Sequence, residues 1–370
     1  MKILFVTDFP ANDSGYARIS RPICNGLVDL GHEVKMVGIS NHGEEHWNKF
    51  SVIPIGENLQ EIEAAIHNLS LLWVPEVIVV ALDIPMQEQV FARVRRDSSS
   101  SYMKYIAITP LENGPLSPSW ASSLMQMDKV FFISYLGEVE GKAAGVSTSE
   151  HLKIGIDAIK WFPARQGEKD KVRENLGFGK DEKVFLTIAD NQERKNFDTS
   201  FQIVSNFKKL NPDIKFKYVL VTKENSVYGW KPMELAFQYG IQAELVVFER
   251  GMPEAQLRLL YIASDAFLLT SKAEGCGMPV MEALACGLHC VTTNTGAFTE
   301  KLKDGVGWLI PVIFSIKHDV WGSSKRDFAD PFIGAKMLLD AVTNPNQIVV
   351  EFPIEPMIQQ VDRAITEIVK

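Results

Sequence analysis

Short, unbroken apolar runs recur along this chain, and they constrain its fold more than any other feature. Lys2–Thr7, Glu33–Gly38, Val77–Leu82, Tyr105–Thr109 and Lys129–Ser134 form a first series. Val184–Ile188, Tyr218–Thr222, Leu245–Phe248, Ala266–Leu269 and Leu288–Thr292 form a second. A strand that is apolar along its whole length is buried on both faces, as parallel sheets covered by helices are. The opening unit fits this reading: strand Lys2–Thr7, loop Asp8–Gly15, a helical pattern through Ile19, Ile23, Leu27 and Leu30 closed by Gly31, then strand Glu33–Gly38. That is how a doubly wound sheet begins. Its loop has one glycine, Gly15, where a dinucleotide fingerprint needs three, so a nicotinamide site is not indicated.

A chain of 370 residues suits two such sheets better than one core. The formal net charge of −8 gives no bulk attraction to nucleic acid or anionic membrane. Cys24, Cys276, Cys286 and Cys290 have no zinc-like spacing and read as reduced thiols. No stretch is long and apolar enough to span a bilayer, and the apolar run at the N-terminus is too short for a signal peptide, so a soluble, cytoplasmic protein is expected. Residues 41–68 read as irregular and polar, with His42, His46 and His67 on the surface. Arg93, Arg95 and Arg96 precede Asp97–Ser101, expected as a mobile exposed loop whose basic cluster faces solvent or an anionic acceptor. A polar connection is expected between Tyr218–Thr222 and Leu245–Phe248.

The stretch most suggestive of chemistry is Ser271–Gly287, SKAEGCGMPVMEALACG. It follows the buried run Ala266–Leu269, and Pro279 suits the first turn of a helix. The N–H groups from Gly275 to Val280 should then point toward a ligand, with the positive end of the helix behind them. Glu274 and Glu282 bracket the turn. Two acids there would repel phosphate if they touched it, so their natural targets are neutral hydroxyls of a sugar and a ribose. This is the chemistry of a nucleotide-sugar site.

The pattern E-G-C-G-x-P-x-x-E-A-x-A-x-G resembles the donor-site signature of the retaining GT-B glycosyltransferases, particularly glycosyltransferase family four (glycosyl transferases group one). Further similarities run along most of the chain: the SGYAR loop, Ser134–Gly137, Ile154–Asp157 with Trp161–Pro163, Lys195–Asn196, Leu257 with Tyr261, Ser264 and Asp265, Thr295–Gly296 with Glu300, and Gly305–Pro311. The resemblance implies an α/β chain with two Rossmann-like, doubly wound parallel-sheet domains facing each other across a cleft. Residues 1–160 would bind acceptor, residues 161–350 would bind the nucleotide-sugar donor, and a C-terminal helix in 351–370 would return to the first domain.

The resemblance also implies roles. Gly15 would let the backbone approach donor phosphate and acceptor. Glu282 would hold the ribose and Glu274 the sugar hydroxyls. The amides of Gly275, Cys276, Gly277 and Met278, with Lys195 and Asn196, would hold the diphosphate. Relatives place an arginine five residues before the lysine; Asp190 stands there in this chain, and Arg194 is the nearest guanidinium in sequence. Relatives also carry a histidine after the fourth strand of the first domain. No histidine lies between His67 and His151, and Glu112 occupies that loop as the candidate group beside the sugar. The implied activity is retaining and metal-independent, with a UDP- or GDP-linked sugar as co-substrate and no further cofactor. A sugar, a protein or a modified nucleobase would each serve as acceptor. A sugar-nucleotide epimerase of the same fold would need catalytic histidines, and His32 and His151 are the only ones near the matching segments. A catalytically weak sugar-nucleotide binder is the third reading.

Overall fold

The computed structural model describes residues 1–370 except 13, 42–47, 225, 227–228, 304, 318–324 and 347. His42 and His46 lie outside the described residues. The chain divides into two compact units, one formed by Met1–Gly155 with Pro353–Lys370, the other by the described residues from Ile156 to Phe352.

The first unit runs β1 (Lys2–Asp8), α1 (Gly15–Asp29), β2 (Glu33–Ile39), β3 (Ser51–Pro54), α2 (Leu59–Leu72), β4 (Val77–Ala81), α3 (Ile84–Arg96), β5 (Lys104–Thr109), α4 (Pro118–Leu124), β6 (Lys129–Phe132), α5 (Tyr135–Ala143) and β7 (Ser149–His151). Its strands pair in the order β3-β2-β1-β4-β5-β6-β7, every pairing parallel. The second unit runs α6 (Glu168–Leu176), β8 (Lys183–Ile188), a short 3-10 turn (Glu193–Lys195), α7 (Phe197–Leu210), β9 (Phe216–Thr222), α8 (Pro232–Tyr239), β10 (Leu245–Glu249), α9 (Glu254–Ala263), β11 (Ala266–Leu269), α10 (Met278–Ala285), β12 (His289–Thr293), α11 (Phe298–Lys301), β13 (Trp308–Ile310), β14 (Val312–Lys317), β15 (Lys325–Ala329) and α12 (Pro331–Thr343). Its main sheet has the order β10-β9-β8-β11-β12-β13, again parallel. Strands β14 and β15 form a separate antiparallel hairpin. The last helix, α13 (Glu355–Val369), belongs to the first unit.

The strands form where the apolar runs placed them because both faces are covered. All five residues of β4 and all four of β11 are buried. Each sheet has one switch point. In the first, the chain moves outward from β1 through β2 to β3 and resumes beside β1 with β4. In the second it moves from β8 through β9 to β10 and resumes beside β8 with β11. The crevice beyond the strand ends at such a point is where open α/β sheets bind ligands.

Three expectations change. Residues 41–68 are not irregular throughout: β3 and most of α2 lie there, and Ile62 and Ile66 reach the core while Glu61 and Glu63 face solvent. That charged face hid the helical period. His67 is exposed, as expected. The connection between β9 and β10 contains α8, whose buried side is only Pro232, Leu235 and Ala236. Arg96 of the basic cluster closing α3 is exposed, as expected, but the other two arginines are spent on structure. Arg95 donates to the carbonyls of Ser101 and Met103, both at 2.8 Å, and pairs with Asp128 at 3.1 Å, while Arg93 meets Glu63 at 3.2 Å.

Helix α13 lies on α1, where Gly26 faces Ile358, and His32 Nε2 lies 2.7 Å from Asp362 Oδ1. The neighbouring chain reversal is tighter still. A β-carbon on Gly155 would stand 2.3 Å from the Pro353 carbonyl oxygen and 2.6 Å from Ile354 Cα, both backbone atoms. Backbone cannot swing aside as a side chain can. Gly155→Ala is therefore expected to lower stability by about 1–3 kcal/mol, read as a lower denaturation midpoint in urea with an unchanged slope.

Candidate functional site

The second sheet's switch point brings together the loops that leave β8 and β11. Thr270 Oγ1, just past β11, donates to the Asn196 carbonyl at 2.9 Å. The Lys272 N–H donates to the Arg194 carbonyl at 2.8 Å. Asn196 turns the chain into α7 with a left-handed backbone (φ 54°), and its side-chain amide bonds Thr199 Oγ1 at 2.8 Å. The two loops are thus joined by backbone before any charged side chain is considered.

Between them lies an ion pair. Lys195 Nζ donates to Glu274 Oε2 at 2.5 Å, and the two residues are 7% and 8% exposed. Arg194 Nη1 lies 3.5 Å from the same oxygen and 3.3 Å from the Ala273 carbonyl, and Ser271 Oγ donates to Glu274 at 3.3 Å. Burial alone would push the Glu274 carboxyl up. The charges of Lys195 and Arg194 and the hydrogen bonds from Lys195 and Ser271 outweigh it, so the group sits below its usual value and is ionised.

Immediately after Glu274 the chain turns into α10. Gly277 has φ 75°, and a β-carbon there would lie 2.7 Å from Phe298, so the turn requires glycine. Gly275, Cys276 and Gly277 are buried, yet among the described residues their N–H groups, and that of Met278, donate to no protein acceptor. Buried main-chain donors are rarely left in this state. They stand at a helix start, where an anion is favoured. One turn on, Glu282 is 1% exposed, and its Oε2 accepts from the Tyr261 hydroxyl at 2.8 Å. Neither acid of the signature is turned out to solvent.

The sequence pattern missed several neighbours. Asp190, in the position where an arginine was sought, pairs with Arg250 at 2.8 Å; a guanidinium from the loop after β10 therefore stands beside it. Lys272 pairs with Glu193 and lies over the rings of Trp230 and Phe328, at 5.6 and 4.8 Å. Its place two residues before Glu274 was the available signal; Arg250 lies too far along the chain from Asp190 to leave one. Cys276, in the turn before α10, is a buried thiol pushed up to about 11 by desolvation, chiefly, and by the acids around it. The other three cysteines are buried too.

The remaining candidates lie in the first unit. Gly15 opens α1 after Ser14, which accepts from the Ala17 N–H at 3.1 Å. A β-carbon on Gly15 would meet no protein atom within 4 Å, so nothing inside the fold demands glycine there. Tyr16 donates to Asp83, whose carboxylate occupies the N-cap position of α3 without capping it. Burial raises the Tyr16 phenol well above its ordinary value, helped by Asp83, Asp8 and Glu112. Glu112, in the loop after β5, thus acts on Tyr16 through its charge. Burial also raises the Asp8 carboxyl; Asp83 and Glu57 add to the rise, and a hydrogen bond from Ser14 opposes it. The histidines an epimerase would use are engaged elsewhere: His32 beside Asp362, and His151 against Tyr135, with ring centroids 6.4 Å apart. Among the described residues no group of His, Cys, Asp and Glu is arranged to hold a metal ion, and no helix is long and apolar enough to cross a membrane.

Residues 168–318 match the model of the family described as glycosyl transferases group 1. A GDP-mannose-dependent alpha-(1-6)-phosphatidylinositol monomannoside mannosyltransferase of Mycolicibacterium smegmatis is 25% identical over 248 residues, covering 65% of this chain and 62% of its own length. This chain therefore spans less than two thirds of that relative. Sucrose-phosphate synthase from Thermosynechococcus elongatus superposes with a TM-score of 0.73 at 14% identity, covering all of this chain and 96% of the other. HepE of Anabaena, solved in complex with UDP-glucose, gives 0.68 at 15% identity over 99% and 100%. At such identities the likeness is one of fold: GT-B, with two Rossmann-like units.

Two expectations follow. Lys195→Met strands a buried carboxylate, which should cost about 3–5 kcal/mol at neutral pH. Glu274 titrates below its ordinary 4.5, so the pair's contribution is full above that value and fades as pH falls through the lowered one. The gap between variant and wild-type denaturation midpoints should therefore narrow in acid. Asp8 has the opposite sign: its ionised form is penalised above its raised folded value, and the penalty disappears below its ordinary 3.8. Asp8→Asn should raise the melting temperature at pH 7 and leave it unchanged near pH 3, as calorimetry would show.

Proposed function

We propose that this protein transfers a sugar from a nucleoside diphosphate sugar to an acceptor hydroxyl, with retention and without a metal ion. The observation that carries the reading is the buried Lys195–Glu274 pair set against a turn of main-chain donors, from Gly275 to Met278, that meet no acceptor among the described residues, at a sheet switch point. The family match over 168–318 and the nucleotide-sugar dependence in the name of the mannosyltransferase relative support it.

In this reading the diphosphate takes the N–H groups of Gly275, Cys276, Gly277 and Met278. The cationic side of the site, Lys195 and Arg194, balances charge as the sugar–phosphate bond breaks. Donors already aimed at developing charge need no reorganisation during the reaction, which makes them effective. Glu274 accepts from sugar hydroxyls. Glu282 fixes the Tyr261 hydroxyl and the first turn of α10; its ribose contact requires the donor to reach a carboxylate now 1% exposed. Arg250 takes the place in space of the arginine missing at Asp190. Glu112 is the candidate group beside the sugar, and Gly15 lets the backbone approach donor phosphate and acceptor. Retention without a flanking carboxylate pair needs the leaving phosphate to take the acceptor's proton, bond breaking at the anomeric carbon running ahead of bond making on the same face.

The test is incubation with radiolabelled UDP- and GDP-sugars, followed by analysis for transfer or slow donor hydrolysis. A binding donor should also raise the melting temperature in proportion to the logarithm of its concentration. Glu274→Gln keeps the shape of the side chain and should lower turnover about 10²–10³-fold. Isomerised donor, or binding with no transfer or hydrolysis, would refute the assignment.

A further inference from the structure

We propose that Asp327, on the hairpin strand β15, is the positioning residue that holds the loop Ser271–Gly277 in its donor-binding shape; this rests on the function proposed above. Asp327 lies beyond the segment that matches the family model. It is 2% exposed, and a buried carboxylate is costly unless its oxygens are satisfied. Oδ2 accepts from the Thr295 hydroxyl at 2.8 Å; Oδ1 accepts from Ser315 at 2.5 Å and lies 3.2 Å from Lys325 Nζ. Its own N–H donates to the Lys272 carbonyl at 2.8 Å.

From these bonds two lines run to the loop. The first is direct, from the Asp327 backbone to Lys272, whose N–H is already tied to Arg194. The second passes through Thr295. The Thr295 carbonyl accepts from the Phe298 N–H at 3.2 Å, and one residue earlier the Ala297 N–H donates to the Glu274 carbonyl at 2.8 Å. Lys272 and Glu274 are therefore gripped at their carbonyls from one side, and Asp327 is common to both grips. Phe298 is also the ring that Gly277 clears. The Lys272 ammonium lies over the ring of Phe328, the residue after Asp327, so side chain and backbone both dock on β15.

A hairpin needs no buried carboxylate to stay folded, since replacing such groups by apolar ones is often neutral or stabilising. Joining Thr295 to the β14–β15 hairpin, directly behind the donor loop, is what this carboxylate does that an apolar side chain could not.

Hydrogen–deuterium exchange on the ligand-free chain tests the geometry without reference to activity. Asp327→Asn and, independently, Thr295→Val should each speed exchange in peptides spanning 271–278 by about tenfold or more, with β8, β9 and α7 unchanged, because local opening is governed by local bonds. Lys325→Met, which removes the solvent-side partner, should leave those peptides at wild-type rates. In the transfer assay Asp327→Asn should raise the donor KM at least about tenfold and leave the acceptor KM unchanged, since the acceptor side lies in the other unit. If Asp327→Asn does not fold, Thr295→Val alone decides. Exchange at 271–278 that stays at the wild-type rate, or that rises equally throughout the second unit, overturns the positioning role. A wild-type protein with no transferase or donor-hydrolysis activity overturns the proposed function and leaves the exchange result to judge Asp327.

Discussion

A buried ion pair, Lys195 with Glu274, spans the point where the second sheet changes direction, and the surrounding loops are built to make it tolerable. Two charges removed from water regain their solvation only if geometry is fixed and remaining lone pairs are met. The loops supply this in order: Thr270 to Asn196, Lys272 to Arg194, then Ser271 and Arg194 on Glu274 itself. As a source of stability such a pair is a poor choice beside an apolar one. Its presence needs a positional reason, and the main-chain donors directly after Glu274, which meet no acceptor among the described residues, provide one.

The two sheets share a topology and treat their switch points differently. In the second unit three acids near the strand ends have a named cation: Asp190 with Arg250, Glu193 with Lys272, Glu274 with Lys195. In the first, Asp83 and Glu57 act on Asp8, and Asp83, Asp8 and Glu112 act on Tyr16. Crowded acids of this kind destabilise the fold that holds them. Proteins keep such arrangements where a site needs them more than the fold does.

How much of this could be read from residues alone depended on the range of the interaction. Strands buried on both faces announce themselves as continuous apolar runs, so β1, β4, β8 and β11 were legible to within a residue or two. Helix α2 was not, because Glu61 and Glu63 break up an apolar stripe of which only Ile62 and Ile66 are fully inside. The turn Glu274–Pro279 was legible because glycine and proline there do local work. Lys195 and Glu274 could each be picked out, but their pairing joins residues 79 positions apart and no local pattern encodes it. Arg250 was invisible for the same reason. A search for an arginine near Asp190 in sequence finds Arg194, whereas the fold brings Arg250 to Asp190 from another loop.

The charge balance at the second switch point has a consequence for the proposed transfer. A diphosphate arriving at Gly275–Met278 brings negative charge next to Glu274, whose carboxyl Lys195 and Arg194, with Ser271, hold below its usual value. If those cations turned wholly to the phosphates, the carboxylate would be left buried and unpaired. Sugar hydroxyls donating to Glu274 would replace what the cations withdraw. Binding of the sugar and binding of the diphosphate would then support each other through one carboxylate, and a nucleoside diphosphate without its sugar would leave that exchange half made.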